Sequence, residues 1–149
     1  MELTIDFARI EELPKVVELS KKFELENCCN GIIADDLEFF KSQNVAVAKV
    51  DTKIVGYCYG NILTKTKTTS FCNQGEKSFY IEEIYIEKKY RNRKIGLALF
   101  KFMENYAISN DCSLLETTAV SKDYLKLLSF YINKLDMKFL SASLFKKLN

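Results

Sequence analysis

The segment Tyr80–Ala107, YIEEIYIEKKYRNRKIGLALFKFMENYA, changes its periodicity halfway along. Ile81, Ile84 and Ile86 with Tyr80 and Tyr85 form a β-branched and aromatic run broken only by Glu82 and Glu83, which is strand composition. Ile95, Leu99, Phe102, Met103 and Tyr106 then recur at helical spacing and make one apolar stripe. Between the two lie Lys88, Lys89, Arg91, Arg93 and Lys94. The first turn of a helix carries unpaired N–H groups and the positive end of the macrodipole, so an anion can dock there. Such a concentration of cations around one turn points to an anion larger than a carboxylate, and a pyrophosphate is the natural candidate.

The flanking sequence supplies further elements. Leu3–Arg9 alternates and reads as a strand. Glu11–Leu25 carries Leu13, Val16, Val17 and Ser20 on one stripe, with Pro14 in the first turn. Ala34-Asp35-Asp36 opens a short helix through Leu37, Phe39 and Phe40. Asn44–Val50 and Ile54–Leu63 flank Asp51-Thr52-Lys53 as a hairpin, and Thr64–Lys77 is a polar loop before a strand at Ser78–Glu87. After the helix ends near Ser109, Leu114–Val120 is a strand. Ser121 N-caps a final helix bearing Leu125, Leu128, Ile132 and Leu135, and Met137–Leu148 ends the chain as one or two strands.

Composition excludes several function classes. The 149 residues, 48% apolar and 28% charged, suit one domain, residues 1–149, that buries a core without disulfides. A net charge of +2 is too small to argue for nucleic acid, and no apolar run is long enough to span a membrane. The N-terminus is no secretion signal, so the expected location is cytoplasmic. Five cysteines without Cys-x-x-Cys spacing and a complete lack of histidine argue against a metal site or a His-dependent triad. Any chemistry must use carboxylates, Tyr, Ser, Cys, Lys or the backbone.

Tyr90-Arg91-Asn92-Arg93-Lys94-Ile95-Gly96-Leu97-Ala98-Leu99 resembles the pyrophosphate-binding motif of the GNAT superfamily, the acyl-CoA-dependent N-acetyltransferases. That motif runs Arg/Gln-x-x-Gly-x-Gly/Ala behind a strand of the Ile-Glu-Glu-Ile-Tyr-Ile type. Arg91 and Gly96 match, and Lys94 stands at the first glycine position, where a left-handed backbone would cost a lysine roughly 1–2 kcal/mol. The element order βααβββαβαβ is also that of a small acetyltransferase, so the resemblance covers nearly the whole chain. It implies an α/β (α+β) fold with a mixed, twisted sheet of six to seven strands and about four helices, the fourth and fifth strands splaying apart around acetyl-CoA.

On that resemblance the backbone of Ile84, Tyr85 and Ile86 pairs with the pantetheine arm, and the amides of Asn92, Arg93, Lys94, Ile95, Gly96 and Leu97 hold the pyrophosphate, with Arg91 beside it. A backbone N–H near Ile86 polarises the thioester carbonyl. The acceptor is a small primary amine or polyamine. Neutralising an amine of pKa near 10.4 at pH 7 costs about 4.6 kcal/mol, so a base must take its proton. Glu82 and Glu83 are the candidates; strand alternation puts them on opposite faces. Glu82 is favoured because it aligns with the carboxylate that contacts the amine in diamine acetyltransferases. Tyr131, in Leu128-Ser129-Phe130-Tyr131, resembles the tyrosine general acid of this family, although Leu135-Asp136-Met137 follows it where Leu-Gly-Phe is usual, one residue later. Asp35, Asp36 and Glu38 are candidates for an acidic mouth to the acceptor site.

The competing reading is a non-catalytic module that binds acyl-CoA as a sensor or scaffold; thiol release with an amine panel separates the two. A nucleic-acid contact at the basic turn lacks any aromatic-basic platform. The reading therefore names a small-molecule amine as partner, no nucleic acid, no membrane and no metal, and it leaves a homodimer open.

Overall fold

Alternating and helical stripes fold into a five-stranded sheet flanked by four α-helices, and the computed structural model describes residues 1–149 throughout. The strands are β1 (Leu3–Phe7), β2 (Asn44–Val50), β3 (Lys53–Thr64), β4 (Lys77–Ile86) and β5 (Leu114–Thr117). They lie in sequence order, antiparallel except for the parallel β4–β5 pair. The helices are α1 (Leu13–Glu26), α2 (Leu37–Lys41), α3 (Ile95–Ser109) and α4 (Tyr124–Ser129), the last running into a π-helical turn at Phe130–Lys134. No helix is long and apolar enough to cross a membrane.

Two apolar layers cover the sheet. On one face Ala46, Val55, Phe79 and Ile81 pack against Ile95, Leu99, Phe100 and Met103 of α3. On the other, Val45, Val47, Tyr57 and Tyr85 pack against Leu13, Val16, Leu19 and Phe23 of α1 and Phe40 of α2. Each such side chain taken fully from water contributes roughly 1.5–3 kcal/mol. The β2–β3 hairpin turns on Asp51 and Thr52, both with positive φ (50° and 84°), which is the geometry of a two-residue primed turn.

A bulge in β4 sets the site. Tyr59 pairs with Glu83 and Gly60 with Ile81, so Glu82 has no partner across the ladder. The parity of the strand switches there. Phe79 and Ile81 before the bulge, and Ile84 and Ile86 after it, all pack on the α3 side. Strict alternation across Glu82-Glu83, expected from the sequence, does not hold. Gly60 makes room for this irregularity: a Cβ on it would lie 2.3 Å from the Tyr80 carbonyl oxygen.

The expected six to seven strands are five, and the physical reason lies in the last quarter of the chain. β5 stops at Thr117 because the backbone beyond it turns to α1: Asn30 N–H donates to Val120 O (2.9 Å) and Lys122 N–H to Cys28 O (2.9 Å). Residues 138–149 form no strand at all; no backbone group there has a hydrogen-bonding partner within the chain. The final helix is also shorter than its stripe implies. Leu125 and Ile132 face solvent while Tyr131 and Leu135 are buried, because the π turn takes up an extra residue and rotates the stripe.

Candidate active site

The parallel β4–β5 ladder runs only from Ser78↔Leu114 to Ile81↔Thr117. A final tie, from the Thr117 hydroxyl to the Ile81 carbonyl (3.1 Å), closes it. Beyond that point β5 leaves for the α1 loop while β4 continues to Ile86. One edge of Glu82–Ile86 is thereby left without a neighbouring strand, and exposed strand backbone is a template for an extended ligand. Ile84, Tyr85 and Ile86 belong to this stretch of β4.

The chain then passes through a 3-10 turn at Lys88–Tyr90 into the start of α3. Asn92 and Lys94 both have left-handed backbones (φ 62° and 63°), and Lys94 is the N-cap residue with no side-chain capping bond. No backbone N–H from Asn92 to Leu97 has an acceptor in the chain. Six consecutive free amides at a helix start form a concave donor array suited to phosphate oxygens. Gly96 fits the same use, since a Cβ there would meet nothing within 4 Å and the space beside the first turn is open.

Arg91, the residue expected beside the pyrophosphate, is paired within the chain. Its guanidinium grips Glu26 of α1 with both nitrogens (2.8 Å each), donates from Nε to the Ile86 carbonyl (2.9 Å) and lies over the Tyr85 ring at 5.5 Å. Glu26 also accepts from the Tyr85 hydroxyl (2.9 Å). The paired charge holds the Glu26 carboxyl below its usual range against the pull of burial. Arg91 thus fastens the loop to α1, while Arg93 stays exposed, over the Tyr90 ring.

The two glutamates of the bulge differ. Glu82 is exposed and makes no hydrogen bond. Glu83 is half-buried on the α1 side, where Tyr57 donates a short hydrogen bond to its carboxylate. Burial lifts the Glu83 carboxyl to about 7; the Tyr57 bond opposes that rise and the nearby Asp35 charge adds to it. Asp35, itself raised by burial, accepts from Tyr59 (3.3 Å), and its backbone N–H donates to Ser20 Oγ (2.9 Å). Among the acids of a candidate mouth, Asp35 alone joins this cluster. Asp36 caps α2 through Phe39 N–H (2.9 Å), and Glu38 pairs with Lys41 (2.9 Å).

Tyr131 sits on the opposite side of the sheet. It is buried beside Phe100 and Phe130 in the α3-side core, and burial raises its phenol to about 12, with Thr117 at the end of β5 pulling the other way. The fork between β4 and β5 is therefore flanked by a near-neutral carboxyl on one face and a buried phenol on the other. No group of three or more His, Cys, Asp or Glu side chains converges as a metal site would.

The Acetyltransferase (GNAT) family model matches residues 9–137. The chain belongs to the GNAT acetyltransferases. Membership makes it an acyltransferase by class. No curated protein matches its sequence. Among solved structures it is similar to an aminoglycoside acetyltransferase from an uncultured soil metagenomic sample, in complex with trehalose (TM-score 0.72, 21% identity, covering 99% of this chain and 97% of that one). It is also similar to an aminoglycoside N-acetyltransferase in complex with CoA (TM-score 0.74, 13% identity, 99% and 95% covered). A third is the ribosomal-protein-alanine N-acetyltransferase of Brucella melitensis biovar Abortus 2308 (TM-score 0.67, 15% identity, 99% and 100% covered). At these identities the likeness is one of fold.

Both glycine positions of the GNAT pattern that this chain fills otherwise keep the glycine conformation. Lys94 has φ 63° and Asp136 φ 53°. The extra residue between Tyr131 and Asp136 is absorbed by the π turn, so Tyr131 stays buried despite the altered spacing. Sequence reasoning missed Tyr57, Tyr59 and Glu26. A signal for the tyrosines existed: Tyr57 and Tyr59 share one face of a buried strand, and a buried phenol needs a polar partner. Glu26, remote in sequence from Arg91, offered none.

Proposed function

We propose that residues 1–149 form one GNAT domain, a cytoplasmic N-acetyltransferase that moves an acetyl group from acetyl-CoA to the primary amine of a small cationic molecule such as a polyamine. Both substrates bind together. The observation that carries this reading is the Glu83 carboxyl, poised at about 7 beside the unpaired edge of β4.

Bound acetyl-CoA supplies an activated carbonyl carbon and a thiol leaving group. The free amides of Asn92–Leu97 receive the pyrophosphate, and Arg93 and Lys94 add charge. The β4 edge at Ile84–Ile86 pairs with the pantetheine amides, and a backbone N–H near Ile86 stabilises negative charge on the acyl oxygen. Glu83 takes the proton of the incoming ammonium, directly or through water; a base with pKa near the working pH does this best. In this reading the role falls to Glu83 rather than to Glu82, the residue favoured by sequence, because Glu82 is exposed and makes no hydrogen bond whereas Tyr57 fixes Glu83. Tyr131, on the far side of the fork, donates a hydrogen bond to the departing sulfur. Its phenol at about 12 favours donation of a hydrogen bond over release of the proton. Asp35 beside Glu83 makes the acceptor side anionic, which favours a cationic amine, and the aminoglycosides in the names of two structural neighbours are amines of that kind.

The test is free-thiol release from acetyl-CoA in the presence of diamines, polyamines, aminoglycosides and peptide N-termini. Turnover with at least one cationic small amine is expected. Tight CoA binding with no turnover across the panel would replace this reading by the acyl-CoA sensor.

A further inference from the structure

A line of polar groups runs behind Glu83. Tyr57, in β3, and Ser20, in α1, are 0% and 1% exposed. Hydroxyls buried that deeply are costly unless they are paired. Ser20 lies among the buried Val16, Leu19 and Phe23 of α1, and the rings of Phe40 and Tyr85 flank Tyr57 at 5.8 and 6.0 Å. The hydrogen bonds run in one direction. The Asp35 N–H donates to Ser20 Oγ (2.9 Å), Ser20 hydrogen-bonds the Tyr57 hydroxyl, and Tyr57 donates to the Glu83 carboxylate. The line starts in the loop between α1 and α2 and ends on the stretch of β4 that β5 leaves unpaired.

A hydroxyl that accepts a hydrogen bond donates its own more strongly, so the order of the line matters. Burial and the Glu83 charge push the Tyr57 phenol well above its usual range, so near neutrality it keeps its proton and donates. Few other groups act on Glu83. The Asp35 charge raises its carboxyl from the loop before α2, and no lysine or arginine offsets that effect. Tyr59 of β3 spends its hydroxyl on Asp35, and the neighbouring Glu82 is exposed. Tyr57 is therefore the donor that favours the charged carboxylate, and it engages only Oε1. We propose that Tyr57 and Ser20 are positioning residues whose line of hydrogen bonds, anchored on the Asp35 amide, keeps the Glu83 carboxyl ionisable near neutrality. The inference rests on the role of Glu83 proposed above and extends it to two side chains buried away from any substrate. Without the Tyr57 hydroxyl, burial and Asp35 act unopposed and Glu83 holds its proton through neutrality.

The test reads Glu83 directly. Glutamate carboxyl 13C shifts are followed against pH in the ligand-free parent, Tyr57→Phe and Ser20→Ala, with Glu83→Gln assigning the resonance. The Glu83 midpoint should rise by about one pH unit in Tyr57→Phe and by less in Ser20→Ala. The kcat/KM limb should follow it, with about a fivefold loss at pH 7 in Tyr57→Phe that recovers by about pH 9. Purely structural hydroxyls would lower the unfolding temperature and leave the Glu83 titration in place. An unmoved midpoint in either folded variant overturns the proposal. Midpoints that rise while the rate limb stays fixed support it, and instead overturn Glu83 as the base.

Discussion

Glu83 owes its chemistry to where the bulge puts it. A carboxyl at about 7 is half-ionised near neutrality, so kcat/KM should rise with pH along a limb of apparent pKa about 7. Replacing it by Gln keeps an oxygen for the Tyr57 hydroxyl but removes the base. Glu83→Gln should lose about a hundredfold or more in kcat/KM at pH 8 and lose that limb, whereas Glu82→Gln should keep it. A pH–rate profile of the two variants decides the assignment. Lys94 makes the opposite kind of test. Its left-handed backbone costs roughly 1–2 kcal/mol in a non-glycine residue, partly offset in Lys94→Gly by the roughly 0.5–1 kcal/mol of extra chain entropy glycine loses on folding. Lys94→Gly should therefore stabilise the protein by about 0.5–1 kcal/mol in urea unfolding, while weakening CoA binding modestly through the lost charge.

At the scale of elements, the irregularity between β3 and β4 matters more than the regular pairing around it. It exists because Gly60 lets Tyr80 approach; a methyl there would overlap the carbonyl oxygen at 2.3 Å and force the strands apart. Gly60→Ala should cost about 2 kcal/mol or more of stability. Because the shifted strand also moves Glu83 from Tyr57, the rising limb of the activity profile should move with it. Measuring both in one variant separates a simple packing defect, which lowers stability alone, from loss of the bulge. The Arg91–Glu26 pair works at this scale too, as the strap between the basic loop before α3 and the end of α1.

The whole molecule integrates its charges into a pH dependence of stability with two limbs. The folded Glu83 carboxyl binds its proton more tightly than the unfolded one, so between about pH 4.5 and 7 the folded state holds the extra proton and stability falls as pH rises. The loss approaches roughly 3 kcal/mol above pH 7. Glu12, held down to about 2 by Lys49 and Arg9 against burial, works the other way: its contribution is present above about pH 4.5 and is lost as pH falls toward 2. Thermal unfolding midpoints should therefore peak near about pH 5, and Glu83→Gln should flatten the upper limb while leaving the lower one in place.

Local pattern alone determined the first three helices, the hairpin and the strand–basic turn–helix unit, because periodicity and turn chemistry are properties of adjacent residues; that unit, with the order of elements around it, indicated the family. The same pattern could not tell the two glutamates apart, since the bulge that leaves Glu82 exposed and Glu83 half-buried against Tyr57 arises from the register between β3 and β4. Nor could it show that Arg91 is spent on Glu26, or that Asp36 and Glu38 are occupied with α2, because those partners are chosen by packing. The tail was legible as strand-forming sequence. Whether such a segment becomes a strand depends on pairing with an edge, and only the tertiary structure shows that residues 138–149 pair with none.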